Sequence, residues 1–321
     1  LVDSGAYARL GAFLPMFTLP MTVGVYDIPN VETGARSVIT NTTPTEAYRG
    51  AGRPEATLTV ERAIELFAAE IGMDPIQLRR RNFFQPEDFP VTTGVGTEYD
   101  SGDYEASLDL ALEAAGYDEL RAQQARRRAD GGPLQMGIGV ATYVEVTAGP
   151  APGGDEFGRV EITPDGRARI YSGSLSHGQS HMTTFSMIAA DRLGMDIDDI
   201  DFVQGDTDLV PHGQGTFASR STQLGGSAIH DAAGVVVDEA RRVAADLLEA
   251  DVSDVVLDSE AGGFHVVGSP SVTRSWAEVA STARSIASMT APHRKVPSKL
   301  ARASYHWNRG RNDGLAAVAS T

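Results

Sequence analysis

The chain is 321 residues long with 41% hydrophobic content, enough for two domains with sizeable cores. Its formal net charge of −16 argues against nucleic acid as a partner, because that binding needs clustered Lys and Arg to release counterions. Cysteine is absent, which removes disulfides, cysteine zinc sites, cysteine-held iron–sulfur clusters and thiol nucleophiles; any redox chemistry must use a cofactor not held by sulfur of this chain.

The opening "LVDSGAYARLG" has no initiator Met and alternates like a strand, and no leader pattern precedes it. Nor does any apolar run approach the ~18 residues of a membrane span. The expectation is a soluble piece of something longer. "TEAYRGAGRP" (45–54) places two arginines around a glycine-rich tripeptide, ahead of a long amphipathic helix. Val60, Ile64, Phe67, Ala68 and Ile71 mark one face of that helix, which Gly72 ends. Asp74-Pro75 reads as N-cap and first residue of a second, short helix. Residues 85–103 have the Pro/Gly/Asp density of a connector, and a domain boundary is expected there.

Residues 104–128 read as helical, ending in Arg126-Arg127-Arg128, where cations favour the helix dipole. "GRVEITPDGRARIYSG" alternates about Pro164-Asp165-Gly166 and predicts a hairpin. Residues 180–193 form a helix stopped by Gly194, "DDIDFVQGDTD" a strand and turn, and residues 227–249 a long helix before a second hairpin at Gly262-Gly263. The C-terminal stretch from Tyr305 shows neither a strand period nor a capped helix. The whole is α+β in character.

Three loops are rich in glycine and hydroxyls: 45–54, "SGSLSHGQSHMTT" (172–184) and "GQGTFASRSTQLGGSA" (213–228), with "QGDTD" (204–208) between the last two. Glycine lets the backbone come close, and N–H groups at a helix start bind anionic oxygens. None is a Walker loop or a GxGxxG fingerprint, so a nucleoside triphosphate or NAD has no motif support. Three such loops in one chain point to a large polyanionic cofactor. His177 and His181 stand four apart, as in zinc peptidases, but the glutamate base is missing and Gly178 weakens a helix by roughly 1 kcal/mol. "DIDDID" (196–201) is acidic like a calcium loop but fills ligand positions with Ile197 and Ile200.

The runs "IPNVETGARSVITNTTPTEAYRGAGRPEA", "IGMDPIQLRRRNFF", "HGQSHMTTFSMIAADRLG", "VQGDTD" and "GTFASRSTQLGGSA" carry a likeness. In that order they resemble the large subunit of the molybdenum hydroxylases, the family of xanthine dehydrogenase, aldehyde oxidase and the carbon monoxide dehydrogenase large chain. The likeness implies that residues 1–90 are the C-terminal part of a first molybdenum-cofactor-binding domain and 104–321 the N-terminal part of a second. It implies molybdopterin cytosine dinucleotide as the cofactor, with Arg49 against the pyranopterin and Gln179 at the oxo or dithiolene end. His181 and Thr183 would reach the pyrophosphate. Ala218, Ser219 and Ser221 would hold the pterin phosphate.

The departures narrow the reading. Where carbon monoxide dehydrogenase carries its copper-binding cysteine, this chain has Gly50. Ala51 and Phe17 replace an aromatic and an arginine expected of purine oxidation, and the usual "GQGH" is "GQSH", with Ser180 in the glycine place. The family's oxo-facing glycine-phenylalanine-glycine loop would precede Leu1, and its glutamate base has no counterpart here, so no catalytic residue and no direct metal ligand is assigned. The resemblance implies part of a cytoplasmic hydroxylase oxidising an aldehyde or N-heterocycle with water as oxygen source. Its partners would be an iron–sulfur small subunit, an FAD medium subunit and the remainder of the large subunit. The competing expectation is a non-catalytic cofactor-binding or assembly fragment.

Overall fold

A computed structural model describes residues 3–8, 10–147 and 156–282. The stretch from Tyr305 lies outside the described residues. The chain divides into two compact units after Glu145.

In the first unit, residues 3–8 form no strand, contrary to the alternation of the opening sequence. Residue 4 instead donates its N–H to Val38 and residue 6 to Thr42, and a 3-10 turn leads into α1 (Leu14–Thr18). α2 (Arg53–Ile71) starts from left-handed Gly52 and ends at left-handed Gly72, as glycine at a C-terminal cap should. Its buried face is Ala56, Val60, Glu61 and Ala68, whereas Phe67 and Ile71 are exposed. The difference from the predicted apolar face has a polar cause. Glu61 turns inward to Arg79, whose Nε and Nη2 donate to Glu61 Oε2 at 3.0 and 2.8 Å. Tyr26 and Thr142 hydroxyls donate to the other carboxylate oxygen, and Arg79 Nη2 also reaches the Val140 carbonyl. Burial, then the Glu61 hydrogen bond, pushes the Tyr26 phenol above its ordinary range.

α3 (Pro75–Arg80) is capped by Asp74, whose carboxylate accepts from Ile76 and Gln77 N–H. β1 (Val91–Thr92) and β2 (Glu98–Tyr99) form a small antiparallel pair within the predicted connector. The predicted helix over 104–128 is two helices, α4 (Tyr104–Ala115) and α5 (Tyr117–Asp130), broken at left-handed Gly116. Tyr104, Leu108, Leu112 and Tyr117 pack with Tyr26, Val60, Ile76 and Phe83, which draws both helices into the first unit. The compact units thus divide after α5, at Glu145.

The second unit is built on β3 (Gly158–Ile162), β4 (Ala168–Ser172) and β5 (Ile200–Gln204), in that order. β3 and β4 form the predicted hairpin. β4 and β5 are parallel, joined through α6 (His181–Leu193), the crossover that parallel strands need. A π-helical turn at Ser221–Gly226 runs into α7 (Ser227–Leu248), whose face of Ala228, Ala232, Ala233, Val236, Val237, Ala240 and Ala244 is buried. Small residues let α7 approach the sheet closely; a Cβ on Gly158 would stand 2.7 Å from the Ala228 carbonyl carbon. β6 (Val255–Asp258), β7 (Gly263–Val266) and β8 (Thr273–Ser275) make a second antiparallel sheet, followed by α8 (Trp276–Thr282). The Trp276 indole N–H donates to the Leu193 carbonyl at 3.1 Å, tying α8 to the end of α6.

Candidate functional site

The register of the three-stranded sheet decides where the loops meet. Ser172 pairs with Gln204 at the ends of parallel β4 and β5, so both strands deliver the chain to one end of the sheet. Antiparallel β3 begins there too, with Gly158 opposite Ser172. Loops at the carboxyl ends of parallel strands are where open α/β arrangements place ligands.

The loops are pressed together there. A Cβ on Gly173 would stand 2.6 Å from Gly213 Cα, and one on Gly225 would stand 3.3 Å from Ser174 Oγ and 3.2 Å from the Phe185 ring. Gln204 Oε1 accepts from the Ser176 N–H at 3.0 Å, fixing the loop before α6 to the end of β5. Next along the chain, Asp206 caps its own turn by accepting from Asp208 and Leu209 N–H.

Of the residues expected to bind, Gln179 and Thr183 are exposed, and Gln179 Oε1 accepts from the His177 N–H. Ser180 sits at φ +59°, the left-handed conformation that glycine makes freely. His181 opens α6 and is 3% exposed, its ring stacked 5.0 Å from Phe185. Burial pushes its pKa down, a hydrogen bond to the Ser174 backbone acts upward, and His177 adds a smaller downward push. His181 Nδ1 is buried with no hydrogen-bond partner.

Ala218 and Ser219 are exposed and hold φ of +52° and +50° in succession. Arg220 follows in right-handed conformation with its N–H donating to the Phe217 carbonyl at 3.3 Å, so the N–H groups that could receive an anion here are those of Ala218 and Ser219. Ser221 is buried at the first residue of the π-helical turn, its hydroxyl 3.2 Å from Thr216 Oγ1. The first N–H groups of a helical turn have no carbonyl of their own helix before them. Backbone N–H groups, hydroxyls and an orphaned buried imidazole nitrogen form a donor set that fits a phosphate-bearing group.

The sequence did not point to Glu156, Ser174 and Arg220, which are all buried beneath these loops. Arg220 Nη1 meets Glu156 Oε2 at 2.6 Å, and Ser174 Oγ donates to the same oxygen at 3.1 Å. The available signal was an acidic pair, Asp155-Glu156, just before a predicted strand, too weak without the partner.

Arg49 lies in the first unit, exposed, in a loop whose shape other residues fix. Gly50, Ala51 and Gly52 hold φ of +98°, +38° and +96°. A Cβ on Gly52 would stand 2.6 Å from the Phe17 carbonyl carbon, and one on Gly50 2.7 Å from the Pro54 ring. Arg53 ties the loop down through the Ala51 carbonyl at 3.2 Å and Glu145 at 3.1 Å. Among the described residues, no three His, Cys, Asp or Glu side chains gather in a way that could hold a metal ion.

Comparison with known proteins gives the loops a setting. The family described as molybdopterin cofactor-binding domain matches residues 1–83 and again residues 110–318. The carbon monoxide dehydrogenase large chain of Hydrogenophaga pseudoflava is 40% identical over 268 residues, 80% of this chain and 33% of that protein. The 6-hydroxypseudooxynicotine dehydrogenase complex subunit gamma of Paenarthrobacter nicotinovorans is 39% identical over 272 residues, 83% of this chain and 33% of its own length. The crystal structure of quinoline 2-oxidoreductase from Pseudomonas putida 86 superposes with a TM-score of 0.80 at 30% identity, covering 92% of this chain and 40% of that one. The chain spans about a third of the length of the curated relatives it matches. It belongs to the molybdopterin cofactor-binding family of molybdenum hydroxylase large subunits, and represents part of such a subunit.

Proposed function

We propose that the chain is the cofactor-holding part of a molybdenum hydroxylase that oxidises an aldehyde or an N-heterocycle with water as oxygen source. The observation that carries the reading is the meeting of two donor loops at one end of a sheet, beside a buried imidazole nitrogen that has no partner. When bound, the cofactor supplies two-electron oxidation of a substrate carbon. The chain's own residues bind and orient it.

Ala218 and Ser219, held left-handed, turn backbone N–H groups toward the pterin phosphate, and Ser221 adds its hydroxyl. His181 and Thr183 hold the pyrophosphate of a cytosine dinucleotide. Gln179, at the exposed tip of its loop, reaches the metal end. Arg49, on its glycine-rich loop, is a pterin-binding cation in this reading. In domain terms, residues 1–90 close the first cofactor-binding domain and residues 104–321 open the second. An iron–sulfur subunit, an FAD subunit and the remainder of the large subunit complete the enzyme, in the cytoplasm.

Gly50 supports the copper-free reading. A cysteine there would need φ near +98° and its Cβ would meet the Pro54 ring, so a thiol ligand fits this loop poorly. The test is cofactor content after expression in a host that makes the cytosine form. Molybdenum and CMP released by acid hydrolysis should be present in equal amounts. Ser221→Ala should weaken retention about tenfold, the worth of a lost hydrogen bond to a charged group. Neither molybdenum nor pterin in the unaltered chain would refute the proposal, and AMP or GMP in place of CMP would refute the cytosine form.

A further inference from the structure

Beneath the proposed phosphate loop lies a buried ion pair with an unusual set of attachments. Glu156 is 0% exposed and Arg220 2% exposed. Glu156 uses both oxygens: Oε2 takes Arg220 Nη1 at 2.6 Å and the Ser174 hydroxyl at 3.1 Å, and Oε1 takes the Phe157 N–H at 2.9 Å. Arg220 Nη1 also reaches back to the Gly215 carbonyl at 3.3 Å, and its guanidinium lies 5.3 Å from the Phe217 ring centroid. One side chain thus closes residues 215–220 into a ring and fastens that ring to the loop after β4. Glycine is needed where the two meet, since a Cβ on Gly173 would stand 2.4 Å from Glu156 Oε1.

Such a pair is a poor source of stability. Burying two charges costs desolvation that their attraction roughly repays, and apolar replacements of similar size often do as well. What the pair does hold is a conformation. Ala218 and Ser219, just before Arg220, take the left-handed backbone that L-residues disfavour, and both are exposed, with no packing of their own to enforce it. We infer that Glu156 and Arg220 are positioning residues, a clasp through which Ser174 and Gly215 keep the 213–221 loop in its anion-receiving shape before any anion arrives. The inference rests on the proposed cofactor role of that loop.

The test compares the unaltered chain with E156Q/R220M, which removes both charges while keeping volume, and with S174A, which keeps both charges and removes one hydroxyl. Hydrogen exchange of 213–226 reads the loop, and calorimetric titration with inorganic pyrophosphate reads its use. E156Q/R220M should keep its circular dichroism, exchange the loop amides about tenfold faster and bind pyrophosphate about tenfold more weakly; S174A should move both readouts about two- to threefold. Unchanged exchange and affinity in a folded double variant would overturn the clasp. Should the double variant fail to fold, S174A decides, and unaltered loop exchange there overturns it equally. An unaltered chain that binds no pyrophosphate would count against the cofactor role of the loop, while the exchange comparison still judges the clasp.

Discussion

His181 sits in an environment that an imidazole seldom occupies. Its ring is buried against Phe185, one nitrogen lacks a partner, and burial lowers its pKa from the ordinary value of about 6.5. A histidine depressed on folding favours the neutral form in the native state. Its contribution is therefore complete above the unfolded value and is lost as pH falls through the lower, folded one. Thermal melting of the chain should drop as pH falls below about 6.5, and His181→Phe, which keeps the stacking partner, should flatten part of that drop. Identical pH profiles for the two proteins would contradict this account of the site. The presence of His181 was readable from "HGQSH", but its burial was not, since nothing in the sequence says which of two nearby histidines faces inward. Arg220 was hidden for a similar reason: its partner lies 64 residues away and leaves no periodic trace.

At the scale of elements, local chemistry carried most of the reading. Gly72 and Gly194 are left-handed caps where the pattern stops, Asp74 caps α3, and the Pro164-Asp165-Gly166 turn joins β3 to β4. The departures from the expected elements have one tertiary and one local cause. The face of α2 rotated because Glu61 seeks Arg79, and Gly116 split a helix that composition alone left continuous. The parallel pairing of β4 with β5, which brings the candidate loops together, cannot be read from two short strands separated by a helix. In the same sheet α7 lies close on β3, where Gly158 leaves room for it. Gly158→Ala would place Cβ within 2.8 Å of Ala228 Cβ and the Ile229 nitrogen, so the start of α7 must move. A loss of about 1–3 kcal/mol in denaturant unfolding is expected, as for other overpacked contacts. Wild-type stability would mean that α7 does not depend on that approach.

The whole molecule is acidic, and its first unit exposes several apolar side chains. Leu10, Phe13 and Met16 are 50–66% exposed, and Val38 and Ile39 stand nearby, where Ser37 donates to the Ala12 carbonyl. Exposed apolar side chains, where they adjoin, bind other surfaces or dyes. The folded chain should therefore bind a hydrophobic dye such as ANS, and Leu10→Ser with Met16→Ser should reduce that signal; no dye binding at all would show the patch to be covered. Among the described residues no helix is long and apolar enough to cross a membrane. In the second unit the loops at 172–184 and 213–228 were legible as donor-rich stretches although their meeting was not. Hydrogen exchange of the chain with and without bound molybdopterin tests whether both loops hold the cofactor. Protection gained together in 176–184 and 213–226 is the predicted result; a loaded chain whose protection falls elsewhere, with both loops exchanging as before, would contradict it.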